Sequence, residues 1–381
     1  MKLLKLKVNS GYKMLEKGFE VNFLTKTRVD KTKPNEDLIL LEDDFYYPIE
    51  TVFIGKNSSG KTTTLLLIGI ILDLVKSGRI PASVLMDQDQ LDIEFIFYHE
   101  GLVYNYHGVF KKDLLKNSAF LIIEDETLQK TTLKKNYKKD LSNIFFPKDS
   151  LFTPNVGGDT SCLLNLHVND GSIMTDRIYA GPENFSMIIR VINQLYNNKI
   201  FNTLIRLFDD SIENIEPVLK DNMIFFKFKR INQKEILVDY SYLSQRMSNG
   251  TYRGAYIFAA TLIAFNIGGH ILIDEIEKSF NKNLVENLLA LFNDETINKK
   301  GASLIYTTHY SELLDESDRC DNINVLHRNG DKISVKNMHT AYQVRTDLSK
   351  SNQFNQNAFD SILNYDQLME LRRMLLKWKF F

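Results

Sequence analysis

Apolar residues alternate with lysines at the start of the chain, where Leu3, Leu4, Leu6 and Val8 predict a strand over 3–8. Further short apolar runs predict strands over 20–24, 38–41 and 50–54. A glycine-bounded loop follows at 55–62, then an apolar helix over 63–76, stopped by Ser77-Gly78 with Pro81 beyond. Two aromatic-rich runs over 91–110 flank Glu100-Gly101 and read as a hairpin, with a further strand over 118–124. From 127 to 216 the chain is polar, with helical stretches at 185–197 and 201–207 and no sustained heptads. A second strand pair is predicted at 223–229 and 234–238. Helices follow at 252–267, 283–293 and 311–315, with buried strands at 270–274 and 303–308 and an amphipathic helix at 359–378. Strands alternating with helices predict an α/β fold. Three segments are expected: an N-terminal lobe (1–126), a helical insertion (127–216) and a C-terminal lobe (217–381).

The longest apolar run, 255–273, has the length of a membrane span. Asn266, Gly268, Gly269 and His270 interrupt it where a bilayer centre penalises polarity. It reads as a buried helix, a glycine turn and a buried strand. The N-terminal run is broken by lysines at 2, 5, 7 and 13, so no signal-peptide core forms. Only two cysteines, Cys162 and Cys320, fit a reducing compartment, and a soluble, cytoplasmic chain is expected. With 47 basic and 48 acidic residues, no single-sign field favours non-specific coating of nucleic acid.

Chemistry enters at Gly55-Lys56-Asn57-Ser58-Ser59-Gly60-Lys61-Thr62, which meets every fixed position of G-x-x-x-x-G-K-[ST] between a predicted strand and a predicted helix. Its glycines let backbone N–H groups curl inward on phosphate oxygens, and the helix N-terminus adds positive potential. Lys61 is expected to reach the β- and γ-phosphates of ATP and Thr62 to bind Mg²⁺, with Thr63 continuing the loop. A second anchor is the apolar run His270-Ile271-Leu272-Ile273 ending in Asp274-Glu275. Acids at the carboxyl end of a parallel strand lie beside a phosphate loop. Asp274 is expected to hold Mg²⁺ and Glu275 to act as the base toward water. Such a run alone also fits a strand whose acids cap the next helix. His309, at the end of the 303–308 strand, reads either as a satisfied strand-end histidine or as a group that donates to the γ-phosphate and holds the hydrolytic water. Ser248-Asn249-Gly250 opens the helix that follows, so it reads either as an ordinary N-cap or as a second anion site facing the nucleotide of another copy.

These four elements, in this order, resemble the head of an ABC-type ATPase. The resemblance rests on Gly55 through Thr63, Met247-Ser248-Asn249-Gly250-Thr251, His270 through Glu277, and Thr307-Thr308-His309 followed by Ser311-Glu312-Leu313-Leu314-Asp315. The resemblance is to the subgroup containing the overcoming-lysogenization-defect family and the related phage-defence ATPases of the PARIS and Septu types. The resemblance implies a P-loop NTPase head with an antiparallel β subdomain and a helical insertion. It also implies ATP sandwiched head-to-tail in a homodimer or higher oligomer, with Ser248 and Gly250 completing the partner's site. Glu275 would then be the catalytic carboxylate and His309 the switch histidine. The implied role is an anti-phage switch controlling a separate effector protein, triggered by DNA or a phage protein. A RecF- or SMC-like DNA-repair ATPase is the other class.

The departures are specific. Met-Ser-Asn-Gly-Thr stands where transporters carry Leu-Ser-Gly-Gly-Gln, and Phe280-Asn281 where the relatives often carry His-Pro. About 70 residues follow His309, fewer than a TOPRIM nuclease needs. Asp315, Glu316, Asp318 and Asp321 read as capping and solvating acids. Gln129 is a candidate Mg²⁺-contacting glutamine, and Tyr46 or Tyr47 would either stack on adenine or pack in the core. Lys130, Lys134, Lys135, Lys138 and Lys139 form a basic cluster, read as a solvated helix face or as a contact for nucleic acid or an acidic partner. The tail around Trp378 would dock on its own head or on another subunit.

Overall fold

The computed structural model describes the chain except residues 31–36, 87, 114–117, 135–140, 148–151, 169, 176–181, 197, 279, 343, 345–348, 356–364 and 378–381. Strands β1 (Lys2–Val8), β2 (Phe19–Asn22), β3 (Leu38–Glu42), β4 (Phe45–Pro48) and β5 (Glu50–Gly55) lead into helix α1 (Lys61–Ser77). Strands β6 (Gln90–His99), β7 (Leu102–Lys111), β8 (Ile122–Thr132) and β9 (Ile173–Met174) follow, then helices α2 (Pro182–Leu195) and α3 (Asn198–Arg206). Next come β10 (Ile212–Lys220), β11 (Met223–Arg230), β12 (Ile236–Asp239), α4 (Tyr240–Arg246), α5 (Asn249–Ile267), β13 (His270–Ile273), α6 (Lys282–Asn293) and β14 (Ser303–Thr308). The chain closes with β15 (Ile323–Asn329), β16 (Lys332–Asn337), α7 (Met338–Tyr342), α8 (Lys350–Asn355) and α9 (Tyr365–Lys377).

The central sheet has the order β16-β15-β5-β14-β13-β9 and is parallel apart from β16. Alternation along its strands divides the core into two layers. Phe53, Leu272, Ile305 and Leu326 face α1 and the antiparallel sheet β2-β1-β6-β7-β8. Val52, Ile54, Ile271, Ile273, Leu304 and Tyr306 face the other way, toward α2, α3, α5 and α6. Helix α1 is held between two sheets and is therefore apolar almost all round, with Leu65, Leu67, Ile68, Ile71 and Leu74 fully buried. The result is an α/β architecture in which the antiparallel sheet packs on α1, the helix that follows residues 55–60.

The 255–273 run is divided as its composition suggests. Helix α5 stops at Gly268, whose φ is +88°, and β13 starts at His270. Among the described residues no helix is long and apolar enough to cross a membrane. Strand β8 crosses the 126/127 boundary drawn from the sequence and pairs with β7 as far as Leu102↔Thr132. Within 127–216 the described α-helices are α2 and α3, and the segment ends in β10. Glu126, in the middle of β8, is buried because it accepts hydrogen bonds from the Tyr106 and Ser161 hydroxyls and the Asn155 and Cys162 amides, which pins the following loop to the sheet.

Several residues have structural duties. Asp315 accepts from the Lys350 amide (2.7 Å) at the start of α8, and Asp321 accepts from the Lys26 and Thr27 amides. Asp315 thus caps a helix as expected, whereas Asp321, expected to be solvated, is 5% exposed and tethers the 26–27 loop. Tyr46 and Tyr47 are 6% and 0% exposed, which removes both as platforms for a base. All of β4 is buried, so its aromatics serve the core. Gln129 sits in β8 opposite Asn105. Of the lysine cluster, Lys130 lies over the Phe152 ring (5.3 Å to its centroid) and Lys134 is exposed, while Lys135, Lys138 and Lys139 fall outside the described residues. Trp378 falls outside them too, and the described part of α9 exposes Leu371, Met374 and Leu375.

Candidate functional site

Strand order creates the site. With β14 lying between β5 and β13, the loops leaving the carboxyl ends of all three open on one crevice. The loop after β5 carries 55–62, that after β13 carries Asp274 and Glu275, and that after β14 carries His309. A cleft of about 630 Å³ is lined by residues 57–63, Glu275, Lys278 and His309, and on its other flank by Met14, Arg328 and Ile333.

Two glycines permit the loop. A Cβ on Gly55 would lie 2.6 Å from the Leu326 carbonyl oxygen. Gly60, the N-cap of α1, has φ +93°, and a Cβ there would lie 2.7 Å from Ile333 Cδ1. Below the cleft, Lys61 Nζ donates to the carbonyls of Gly55 (2.8 Å) and Lys56 (3.0 Å) and lies 3.4 Å from His309 Nδ1. Burial brings the Lys61 ammonium down to about 8, against the pull of Glu275, Glu277 and Asp274. Ser59 Oγ is buried without a hydrogen-bond partner, a donor left for a ligand.

The acids are tied to this loop by short hydrogen bonds. Thr62 Oγ1 donates to Asp274 Oδ2 (2.6 Å), and Thr307 Oγ1 donates to Asp274 Oδ1 (2.6 Å). The Thr307 hydroxyl also accepts from the Glu275 amide at 2.7 Å. That bond helps hold Glu275 in the left-handed region, φ +48°, which a non-glycine residue enters at a cost. Burial raises the Glu275 carboxyl, but the Lys278 ammonium and then His309 outweigh it and hold it below the usual carboxylate range. Lys278 is ion-paired with Glu275, and His309 Nε2 lies 3.5 Å from Glu275 Oε1. Glu277 fixes the histidine turn by accepting from the His309 amide (2.7 Å) and the Thr308 hydroxyl (2.9 Å).

The structure therefore brings together Lys61, Thr62, Asp274, Glu275 and His309, with Asn57, Ser58, Ser59, Gly60 and Thr63 along the cleft and Gly55 and Lys56 beneath it. Among the described residues that line this cleft, Ser248 and Gly250 do not figure. Ser248 and Gly250 are exposed, and Ser248 caps α5 by accepting from the Thr251 amide (3.0 Å). A Cβ on Gly250 would meet nothing closer than Ser248 Oγ at 3.7 Å, so the corner is open to solvent.

Sequence reasoning quoted Thr307 and Glu277 within motifs without giving either a role, and passed over Lys278, Arg328 and Ile333. Arg328 donates to the Ser58 carbonyl (3.4 Å), from a hairpin turning at Gly330. The pair Asn329-Gly330 was an available hairpin signal. Thr62 and Asp274 present adjacent hard oxygens, a donor set that fits Mg²⁺, which takes few protein ligands beside phosphate and water. Among the described residues no group of three or more His, Cys, Asp or Glu converges on a metal position.

No protein-family model matches the chain, and no curated protein does. Solved structures are similar at the level of fold. The SMC head domain from Thermotoga maritima is 14% identical, over 88% of this chain and 99% of that one, with a TM-score of 0.41. The cbiO1 protein from Clostridium perfringens, part of the ABC transporter complex cbiONQ, is 12% identical, over 97% of this chain and 100% of that one, with a TM-score of 0.35. Likeness this loose carries no argument about chemistry, which rests on the site alone.

Proposed function

We propose that the protein binds ATP in this cleft and hydrolyses it, as an ABC-type head that pairs with a second copy. The observation that supports this most is the relay Thr62–Asp274–Thr307–Glu275, which ties the phosphate loop to the two acids by three hydrogen bonds of 2.6–2.7 Å. In this reading the loop amides, the Ser59 hydroxyl and the Lys61 ammonium hold the phosphates. Thr62 and Asp274 hold Mg²⁺, which when bound neutralises phosphate charge. Glu275 takes a proton from water, with His309 beside it as orienting partner. Met14 and Ile333, with the Arg328 guanidinium, form the wall that receives the base.

The same reading gives Ser248, Asn249 and Gly250 a role in trans. Their cap lies outside the chain's own cleft, so they would close on the γ-phosphate held by a partner copy. The motif resemblance set out above supports the finer role, an anti-phage switch governing a separate effector protein. Substituting Glu275→Gln tests the chemistry. Phosphate release should fall by about 10²–10⁴-fold, the usual worth of a general base. ATP should stay bound, and the ATP-loaded protein should elute as a dimer on size exclusion. A variant that hydrolyses at the wild-type rate and stays monomeric would sink the assignment. For the finer role, a nuclease or toxin retained on tagged protein supports it; ATP-dependent retention of duplex DNA without a protein partner overturns it.

A further inference from the structure

We propose that Lys278 senses the terminal phosphate: its ammonium, which pairs with Glu275, transfers to the γ-phosphate when ATP enters and so releases the carboxylate. The inference rests on the nucleotide reading above and extends it to how that site tells ATP from ADP.

Lys278 ends the short turn Ile276–Lys278 that follows the acids and has 64% of its side chain exposed, yet it lines the cleft together with Lys61, Thr62 and His309. An i,i+3 pair whose lysine is this exposed contributes little to the stability of the fold. Meanwhile it occupies the carboxylate needed to receive a proton from water. Such a contact serves the site only if a stronger competitor for the ammonium arrives.

The cleft has a direction that identifies the competitor. The hairpin flanks the loop at Ser58 and Gly60, through Arg328 and Ile333. The acids and His309 flank it at Lys61 and Thr62. A triphosphate laid along the loop, with its base against Met14 and Ile333, ends among Glu275, Lys278 and His309. A terminal phosphoryl group carries more negative charge than a carboxylate and offers three oxygens to an ammonium with three donors. The four-carbon stem of Lys278 leaves the ammonium able to move between them. ADP ends one phosphoryl group short, so with ADP bound the Lys278–Glu275 pair persists.

The test is calorimetric titration of wild type, Lys278→Ala and Lys278→Arg with adenylyl-imidodiphosphate and with ADP, each with Mg²⁺. Losing one charge-assisted bond should weaken the triphosphate analogue by about 10- to 100-fold in Lys278→Ala. ADP affinity should change by no more than about twofold. Arginine, which keeps the charge, should recover most of the analogue's affinity. Equal weakening of both nucleotides, or no change in either, overturns the proposal. If wild type binds both nucleotides and Lys61→Ala loses both while Lys278→Ala is neutral, only the Lys278 role falls. If wild type binds neither, the nucleotide reading falls and takes this proposal with it.

Discussion

Replacing Thr307 with valine probes the site without touching any group that would meet substrate. The side chain is fully buried, and valine nearly matches its shape, so the change removes one hydroxyl and little else. Two hydrogen bonds go with it: the 2.6 Å donation to Asp274 and the 2.7 Å acceptance from the Glu275 amide. A bond to a charged acceptor contributes about 1.5–3 kcal/mol, and an orphaned buried amide costs about 1–3 kcal/mol. The added methyl returns about 0.8 kcal/mol. The expected loss of stability is therefore roughly 2–5 kcal/mol, visible as a lower urea midpoint with an unchanged slope. Function should divide in a way that a merely structural role would not produce. Thr62 still holds Asp274 at 2.6 Å, so ATP affinity should move by about threefold or less. Glu275, at φ +48°, loses the bond that holds its backbone, so kcat should drop by about 10- to 100-fold. Thr307→Ser keeps the hydroxyl and should retain both stability and turnover. A valine variant with the serine variant's kcat and midpoint would show that the relay does not position Glu275.

Two further predictions concern other parts of the molecule. Glu50 is 5% exposed, and burial raises its carboxyl to about 7, against the hydrogen bonds from Tyr306 and Asn322. Between its ordinary value of 4.5 and about 7 the folded state binds more protons than the unfolded state, so this group's contribution to stability falls as pH rises through that window. Glu50→Gln should flatten the fall and exceed wild type by about 1–3 kcal/mol near pH 8, read from urea midpoints; identical pH slopes in the two proteins would refute this. Ser248→Arg should leave ATP binding to the single chain intact but abolish hydrolysis, because the exposed corner is assigned to a partner's phosphate. Full turnover in that variant would remove the two-copy site.

What could be read along the chain was chemistry concentrated in contiguous stretches. Residues 55–62 and 270–275 each carry strand, turn and reactive groups within a few positions, and the structure sets them on one crevice. The role of Thr307 was invisible because it comes from strand order. Only when β14 inserts between β5 and β13, with Tyr306 opposite Ile273, does the next residue fall beside Asp274. Strand β10 was read as polar chain because Asn214 and Pro217 break its apolar pattern. Among the described residues it pairs with β11 alone, and an edge strand tolerates a proline that a central strand would not. Tyr46 and Tyr47 were ambiguous for a related reason, since composition does not say which strand of a sheet is covered on both faces.

The wall opposite the acids shows the limit most plainly. Met14 and Ile333 are far apart in the chain, yet the Ile333 amide donates to the Met14 carbonyl (2.8 Å) and the Glu16 amide to the Ile333 carbonyl (3.0 Å). These two main-chain bonds are independent of side-chain identity, so no hydrophobic pattern encodes them. They nevertheless hold Ile333 over Gly60 closely enough to exclude a Cβ there. The glycine of the phosphate-loop motif is thus required twice, by the turn at φ +93° and by a side chain contributed from the other end of the protein.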